Sequence, residues 1–151
     1  MSSQEKTAKI SFPCDDGDVE RMTGIYVKDG LYKLDNSPFY FYGISFGDLF
    51  KVKENGGDLI FERVIARGGH STYRVKIPIG EGHNFFLKNW TSLQDLGCTY
   101  EGSDVGPQRL YAIDVPPSAD IFKVYELLEK GEREELWVFE EGHYCDTATA
   151  E

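Results

Sequence analysis

Residues 34–75 read LDNSPFYFYGISFGDLFKVKENGGDLIFERVIARGGHSTYRV, and this stretch decides the fold. In it, turn-forming residues such as glycine, asparagine, aspartate and proline alternate with short runs rich in aromatic and β-branched residues. That alternation is typical of antiparallel strands joined by tight turns. Residues 48–53 and 58–66 are two such runs, and the ENGG sequence between them supplies turn glycines. The stretch therefore predicts antiparallel β-structure.

The residues before this stretch extend the same pattern. Residues 9–12 are predicted as a first strand, followed by an acidic turn. Two further runs, 22–27 and 31–34, flank an Asp-Gly dipeptide at 29–30, which favours a hairpin turn. Residues 1–70 are therefore predicted to form an antiparallel β lobe, either a small barrel or a meander.

The aromatic run FYFY at residues 39–42 has two interpretations. In an extended segment its rings alternate between two faces, so one pair points away from the lobe that carries it. Either the second lobe covers that pair, or Tyr40 and Tyr42 belong to a face that binds a partner or ligand.

From residue 72 onward, strands alternate with helices. Strands are predicted at residues 72–79, 99–101, 109–115 and 136–139. A helix at 84–96 carries Phe86, Trp90 and Leu93 on one stripe. A second helix, with Ser118 as its N-cap, carries the stripe Ile121, Val124, Leu127 and Leu128 before Gly131.

The resulting order β-α-β-β-α-β is that of a ferredoxin-like unit. The predicted fold class is therefore α+β. An N-terminal β lobe occupies residues 1–70, a ferredoxin-like lobe occupies 71–146, and a flexible tail occupies 147–151. The two lobes are expected to share a core.

The composition is that of a soluble globular chain. Of its 151 residues, 40% are apolar and 28% charged, and no apolar run approaches the length of a membrane span. The first residues, MSSQEKTAKI, lack the apolar region of a secretory signal. The three cysteines, Cys14, Cys98 and Cys145, form no CxxC pair and are odd in number, which argues against a disulfide framework. We therefore expect a cytoplasmic protein.

The net charge of −10 is concentrated in the second half of the chain. Residues 1–75 hold 11 acidic and 10 basic residues, whereas residues 76–151 hold 15 acidic and 6 basic residues. A negative field of this kind repels nucleic acid and anionic lipid and attracts a basic protein. We expect no nucleic-acid or membrane partner. The charge serves either solubility or the binding of a basic partner.

Gly43-Ile44-Ser45-Phe46-Gly47 has the GxSxG sequence of a hydrolase nucleophile elbow. An elbow joins a buried strand to a helix and needs a downstream acid and histidine. Here antiparallel β-structure follows instead. The two glycines are therefore assigned to a bulge or sharp turn, in which Asp48 satisfies turn amides.

A polar cluster spans residues 35–74. Its members are Asp35, Asn36, Asp48, His70, Ser71, Thr72 and Arg74. As a small-ligand site, His70 would act as acid or base, Asp35 or Asp48 would orient it, and Arg74 would hold an anion. As a structural cluster, His70 would tie the loop to Asp35 or Asp48.

No metal site or cofactor is predicted. Asp15, Asp16 and Asp18 resemble part of a calcium loop, but the glycine comes too early and the closing glutamate is absent. His143 and Cys145 have a two-residue spacing without a second pair, so they are interpreted as part of a frayed C-terminal end rather than a zinc site.

Four sequence motifs carry a resemblance to a known family. They are DNxPF at residues 35–39, YGxSxGD at 42–48, RV at 63–64 and GHSTxR at 69–74, with weaker likeness near Val115 and Trp137. Together they resemble the bacterial family called "domain of unknown function 4265". The resemblance implies no particular reaction. Small acidic cytoplasmic members of such families resemble immunity proteins, which neutralise a cognate toxin.

Two functions follow as expectations. The first is a non-catalytic acidic protein, most concretely an immunity protein that binds a basic toxin domain. Its contact residues would be Glu132, Glu134, Glu135, Glu140, Glu141, Tyr40 and Tyr42. The second is a ligand-binding or hydrolytic site at the polar cluster of residues 35–74. A plain interaction or scaffold domain without toxin neutralisation is a third interpretation.

Overall fold

The computed structural model describes residues 6–103 and 107–146 and shows a mixed α+β architecture. The elements are, in chain order, β1 (Thr7–Pro13), β2 (Val19–Lys28), β3 (Leu31–Leu34), β4 (Leu49–Asn55), β5 (Asp58–Ala66), β6 (Ser71–Lys76), α1 (His83–Asp95), β7 (Thr99–Ser103), β8 (Leu110–Val115), α2 (Ile121–Arg133) and β9 (Val138–His143). The first five strands form a closed barrel, and the other four form a second sheet. The predicted α+β class is confirmed, and the N-terminal lobe is a barrel.

The barrel closes because β5 pairs with β1. Each strand from β1 to β5 is antiparallel to the next, so β5 returns parallel to β1, with Ser11 opposite Ile60. The predicted Asp-Gly turn joins β2 to β3, and Gly30 adopts a positive φ of 77°. Apolar side chains fill the interior, namely Ile10, Phe12, Met22, Leu34, Ile44, Phe50 and Val52.

The second sheet has the strand order β7-β8-β6-β9, and all neighbouring strands are antiparallel. All residues of the central strand β8 are buried, as are the first five of β6. Tyr73, Val75, Tyr111 and Ile113 alternate along these strands toward the helices and belong to the core beneath them. The residues between them face the barrel.

Both helices present the predicted apolar stripes to the sheet. In α1 the buried residues are Phe86, Trp90 and Leu93, and in α2 they include Val124 and Leu128. The predicted N-cap of α2 was wrong. Asp120 caps it, because its carboxylate accepts the backbone N–H groups of Phe122 and Lys123.

Two other local predictions need correction. Residues 39–42 are irregular rather than extended, and His143 is the last residue of β9 rather than part of a frayed end. The predicted tail 147–151 lies outside the described residues. The boundary between lobes at residue 70 stays a prediction, although the described apolar core does consist of two clusters, one per sheet. No helix in the described ranges is long and apolar enough to cross a membrane.

Candidate functional site

Buried polar side chains collect where the barrel meets the second sheet, and we call this region the seam. Its buried members are Ser37, Ser45, Asp48, Ser71, Thr72, Arg74 and Asp114. Burying so many polar groups is costly unless each forms hydrogen bonds. Among the described residues, every buried side-chain nitrogen and oxygen has a partner. The seam is therefore a satisfied network.

Ser45 lies at the centre of the seam and is fully buried. Its Oγ is 2.6 Å from Thr72 Oγ1 and 2.7 Å from His143 Nδ1, so it joins the barrel to strands β6 and β9. Burial, and secondarily the positive charge of Arg67, lower the pKa of His143. The imidazole is therefore neutral at pH 7 and suited to sharing a proton with a hydroxyl.

A serine–histidine contact of this length is also what a nucleophile and its base require. Burial prevents Ser45 from acting as a nucleophile in the described conformation, because its hydroxyl has no solvent access. Its backbone N–H donates to Asp48 Oδ2 at 2.9 Å and is therefore not free to stabilise an oxyanion. No sequence motif links Ser45 to His143, because the two residues lie 98 positions apart.

Asp48 organises the turn that carries Ser45. Besides the Ser45 amide, its carboxylate accepts the Gly68 N–H at 2.8 Å and an Arg67 N–H at 3.0 Å. Gly43 and Gly47 both have positive φ, of 91° and 87°. The GxSxG segment is thus the predicted glycine turn, and the predicted role of Asp48 toward turn amides is confirmed.

The prediction that His70 contacts Asp35 or Asp48 was wrong. His70 Nδ1 lies 2.9 Å from both carboxylate oxygens of Asp114 on β8. Burial raises the pKa of Asp114, and the charge and hydrogen bond of His70 oppose that shift. Asp35 is exposed and contributes its backbone N–H to Thr23 O. Ser71 Oγ accepts the Cys145 N–H at 2.8 Å.

Asn36 and Ser37 lie at the start of the loop between β3 and β4 and attach it to both sheets. Asn36 Oδ1 accepts the Thr23 N–H of the barrel at 2.7 Å, while the Ser37 N–H donates to Glu101 Oε2 of β7 at 2.7 Å. Burial raises the pKa of Glu101, and the hydrogen bonds that it accepts from the Ser37 N–H and, at 3.4 Å, from Asn36 Nδ2 oppose the shift. The residues of the predicted cluster at 35–74 therefore bond to different partners along the seam. The ligand site proposed for them stays a prediction.

Arg74 holds the aromatic residues against the second sheet. Its side chain is 1% exposed, its Nε donates to Glu140 Oε2 at 2.8 Å, and its Nη1 donates to the carbonyls of Pro38 and Phe41 at 3.2 and 3.0 Å. The Tyr42 ring covers the guanidinium at 4.5 Å, and Tyr42 Oη donates to Glu140 Oε1 at 2.7 Å. Arg74 is thus occupied by the protein itself and is not free to hold an anion.

Glu20 fixes the backbone of the same aromatic residues from the barrel side. Its carboxylate accepts the N–H groups of Phe39, Tyr40 and Phe41 at 2.7, 3.1 and 2.8 Å. These three hydrogen bonds explain why residues 39–42 do not join a strand. Glu20 and the buried Arg74 together fix the backbone of this loop.

The loop nevertheless exposes two rings. Tyr40 and Tyr42 are each 55% exposed. A cavity of about 310 Å³ beside them is lined by Cys14, Asp15, Asp16, Phe39, Tyr40, Phe41, Tyr42 and Glu140. A second cavity of about 400 Å³ lies against the same rings and is lined partly by Lys76, Val138 and Phe139. We call the exposed surface formed by Tyr40, Tyr42, Glu140, Asp15 and Asp16 the aromatic face.

The five predicted contact glutamates do not form one patch. Neighbouring side chains on a strand point to opposite faces. Accordingly, Glu140 bonds Arg74 on the barrel side, whereas Glu141 accepts a hydrogen bond from Tyr73 Oη on the helix side at 3.1 Å. Glu132 accepts the Phe139 N–H at 3.1 Å. Glu134 and Glu135 are exposed in the turn after α2.

A family model described as "Domain of unknown function (DUF4265)" matches residues 20–139. The chain belongs to this family. No protein with a curated description matches it. It is similar to a solved structure described as a hypothetical protein from Neisseria gonorrhoeae, with 12% identity over 96% of this chain and 100% of that chain and a TM-score of 0.69. That likeness shows the fold alone.

Three carboxylates that organise this DUF4265 chain escaped the sequence analysis. Glu20, Glu101 and Asp114 each bind groups 19 to 65 residues away, and local patterns do not encode such pairs. Asp114 had a usable signal, since it is the one charge within the apolar strand sequence LYAIDV. The described residues contain no group of three or more histidine, cysteine, aspartate or glutamate side chains placed to hold a metal ion.

Proposed function

We propose that the protein is a non-catalytic acidic binding protein whose aromatic face accepts a basic protein. The observation that carries the proposal is that Tyr40 and Tyr42 remain 55% exposed although the backbone between them is fixed by Glu20 and Arg74. Exposed rings on a rigid loop lose little conformational entropy on binding, and tyrosine is enriched among residues that dominate interface energies.

The charges around the rings favour a cationic partner. Asp15, Asp16 and Glu140 line the cavity beside Tyr40. Lysine and arginine side chains are attracted both to carboxylates and to the faces of tyrosine rings. The net charge of −10 extends this attraction to longer range and favours rapid association. In its most specific form, the proposal is an immunity protein that neutralises a basic toxin domain in the cytoplasm.

The experiment is affinity capture with three matched proteins, followed by binding kinetics. The wild type is expected to retain one basic protein that the Tyr40→Ser/Tyr42→Ser double variant fails to retain. Tyr26→Ser, which alters an exposed tyrosine on the barrel, is the control and should capture normally. Equal capture by all three proteins would contradict the proposal. Co-expression should then show whether the captured protein is toxic and whether the wild type relieves that toxicity.

The salt dependence of association tests the role of charge. The cluster variant replaces the five predicted glutamates, Glu132, Glu134, Glu135, Glu140 and Glu141, with glutamine. Because electrostatic steering acts mainly on the association rate, this variant should bind more slowly and with a flatter dependence on salt. Glu140 also binds Arg74, so its replacement could disturb the loop that Arg74 holds. A second variant therefore replaces only the other four glutamates, and a slower association of this variant reports on electrostatic steering alone. An unchanged association rate in both variants would count against steering.

A hydrolytic site at the seam is the second candidate, and the Ser45–His143 contact of 2.7 Å favours it. It requires a motion that exposes Ser45. A fluorophosphonate probe tests this directly, because it labels a serine only when the hydroxyl is activated and accessible. Labelling of the wild type that is lost in His143→Asn would support hydrolysis. Absence of labelling would leave binding as the function.

We also infer that the second sheet and its helices form a ferredoxin-like unit. The element order β6-α1-β7-β8-α2-β9 and the strand order β7-β8-β6-β9 support this assignment. The free thiols Cys14, Cys98 and Cys145 support a reducing cytoplasmic location.

A further inference from the structure

A second exposed apolar surface lies on the opposite side of the second sheet from the aromatic face. It surrounds an open cavity of about 650 Å³ between α2 and the end of β9. The lining residues are Tyr73, Ile121, Phe122, Tyr125, Glu126, Glu141 and Tyr144. We call this surface the helix patch. None of its residues belongs to the aromatic face.

Phe122 is the feature of the helix patch that packing does not explain. It is 74% exposed, the most exposed large hydrophobic side chain of the described residues. It has no ring contact within that part of the chain, whereas Val124 and Leu128 on the other side of α2 are buried. A large exposed ring beside a cavity is characteristic of an interaction surface.

Contacts with neighbouring side chains hold Tyr125 and Glu141 in the helix patch. The Tyr125 ring makes edge contacts with Tyr73 and Phe139, at centroid distances of 6.1 and 5.5 Å. Tyr73 Oη donates to the Glu141 carboxylate at the border of the cavity. Tyr125 and Glu141 therefore lose less conformational entropy on binding than unattached side chains would.

The two charged side chains that line the cavity of the helix patch are both negative. They are Glu126 and Glu141, and no lysine, arginine or histidine lines the cavity. Lys123 and Lys130 lie on the other side of Glu126, around a neighbouring cavity of α2. A matching partner would carry apolar side chains flanked by basic ones.

Two other occupants fit less well. A second copy of the chain would bring the same glutamates together, which is unfavourable. A strand added to β9 would meet an edge that is already occupied, because the Phe139 N–H donates to Glu132 and the Gly142 carbonyl accepts the Gly43 N–H at 3.0 Å. We propose that the helix patch binds a basic amphipathic helix of a protein partner, with apolar side chains against Phe122 and Tyr125 and lysine or arginine against Glu126 and Glu141.

The test uses a defined peptide. A helical peptide of about 18 residues, with leucine on one face and lysine on the other, is titrated at physiological ionic strength into isotope-labelled protein. Chemical shift changes are expected at residues 121–126 and 141–144. A peptide with glutamate in place of lysine should bind far more weakly. Shift changes confined to other surfaces, or equal binding of both peptides, would overturn the proposal.

Variants separate the helix patch from general attraction to an acidic protein. Phe122→Ser should weaken binding of the lysine peptide roughly tenfold or more, as expected for an exposed aromatic anchor. Ile79→Ser, which alters another highly exposed apolar residue, should leave affinity unchanged. Equal affinity of Phe122→Ser and wild type would overturn the proposal. A concentration-dependent dimer abolished by Phe122→Ser would overturn it in favour of self-association.

This inference does not depend on the function proposed for the aromatic face. The Tyr40→Ser/Tyr42→Ser variant should bind the lysine peptide at the helix patch as the wild type does. Loss of those shift changes in that variant would show that the peptide occupies the aromatic face, and would overturn the assignment to the helix patch.

Discussion

The two faces of the second sheet are stabilised in opposite ways. Toward the helices, Tyr73, Val75 and Tyr111 pack in an apolar core. Toward the barrel, the alternating residues Thr72 and Arg74 form hydrogen bonds across the seam, and Arg74 also forms an ion pair with Glu140 of the neighbouring strand β9. Strand β6 therefore supplies both kinds of contact, because successive side chains point to opposite faces.

The two faces therefore have different roles, because one mainly stabilises the second sheet and the other mainly positions the loop next to it. Apolar packing stabilises in proportion to the area buried and accepts many volume-conserving substitutions. Hydrogen bonds are directional, and a buried polar network fixes one arrangement of its members. We infer that the helix side supplies most of the stability of the second sheet, whereas the seam determines where the loop with Tyr40 and Tyr42 is held. Four substitutions test this comparison.

The largest effect is expected on the helix side. Phe86 is fully buried, and its ring stacks on Tyr111 with a centroid distance of 3.6 Å. Phe86→Ala should lower the free energy of unfolding by about 4 kcal/mol, as expected for removing a buried phenylalanine. Leu87→Ala, at the exposed neighbouring position, is the control. Urea unfolding measures both, and similar losses would mean that α1 does not bury its stripe as described.

The next largest effect is expected at Arg74. Arg74→Met removes the hydrogen bonds to Glu140, Pro38 and Phe41. It should lower the free energy of unfolding by about 3 kcal/mol. This value is at the lower end for breaking a buried ion pair, because Glu140 is half exposed. The exposed pair of Arg63 and Glu62 provides a control, since Arg63→Met should cost under about 1 kcal/mol. Equal effects would remove the distinction between seam and surface.

The same two variants test positioning. Arg74→Met should shift the NMR signals of Tyr40 and Tyr42 and broaden them, because the loop loses its attachment to β6. Phe86→Ala should leave those signals in place while the protein remains folded. Unchanged tyrosine signals in Arg74→Met would contradict the positioning role of the seam.

A smaller effect is expected at Ser45. Ser45→Ala leaves the Thr72 hydroxyl and His143 Nδ1 without their shared partner, which should cost about 2 kcal/mol. Ser92→Ala, on the exposed surface of α1, should be nearly neutral. If Ser45→Ala is also neutral, the hydroxyl is not needed to join the barrel to β9.

The smallest effect is the pH dependence due to His143. Burial, and then Arg67, hold its pKa below the ordinary value of 6.5, while Asp48 and Glu141 partly oppose this. As pH falls below 6.5, the unfolded chain gains the proton first, so the free energy of unfolding falls. Unfolding curves of wild type and His143→Asn at several pH values should diverge in this range. Parallel curves would assign the pH dependence to other groups.

Sequence patterns predicted the parts of this fold that depend on local chemistry. The Asp-Gly hairpin, the glycine turn around Ser45 and the apolar stripes of both helices were confirmed, because turn residues and periodicity act over a few positions. Gly131, which follows the apolar stripe, lies inside α2, where a Cβ would come within 2.4 Å of the Trp137 ring. This close approach to a residue beyond the helix could not be read from the periodicity.

The candidate site was harder to predict because its contacts join distant residues. The polar residues at positions 35–74 do form buried contacts, but their partners Glu101, Asp114 and His143 lie in the distant strands β7, β8 and β9. Hydrogen-bond capacity can be read from a residue type, whereas the choice of partner depends on strand register. The predicted pairing of His70 failed for this reason.

The Ser45–His143 contact has a consequence for synthesis on the ribosome. Its two residues are separated by 98 positions, whereas all barrel strands precede residue 67. At about 5–20 residues per second, roughly 5 to 20 s pass between the synthesis of Ser45 and that of His143. During that interval the barrel strands can pair while the Ser45 hydroxyl is still hydrated. The contact between Ser45 and His143 forms only after β9 has been synthesised. The order of translation therefore makes it one of the last contacts to form.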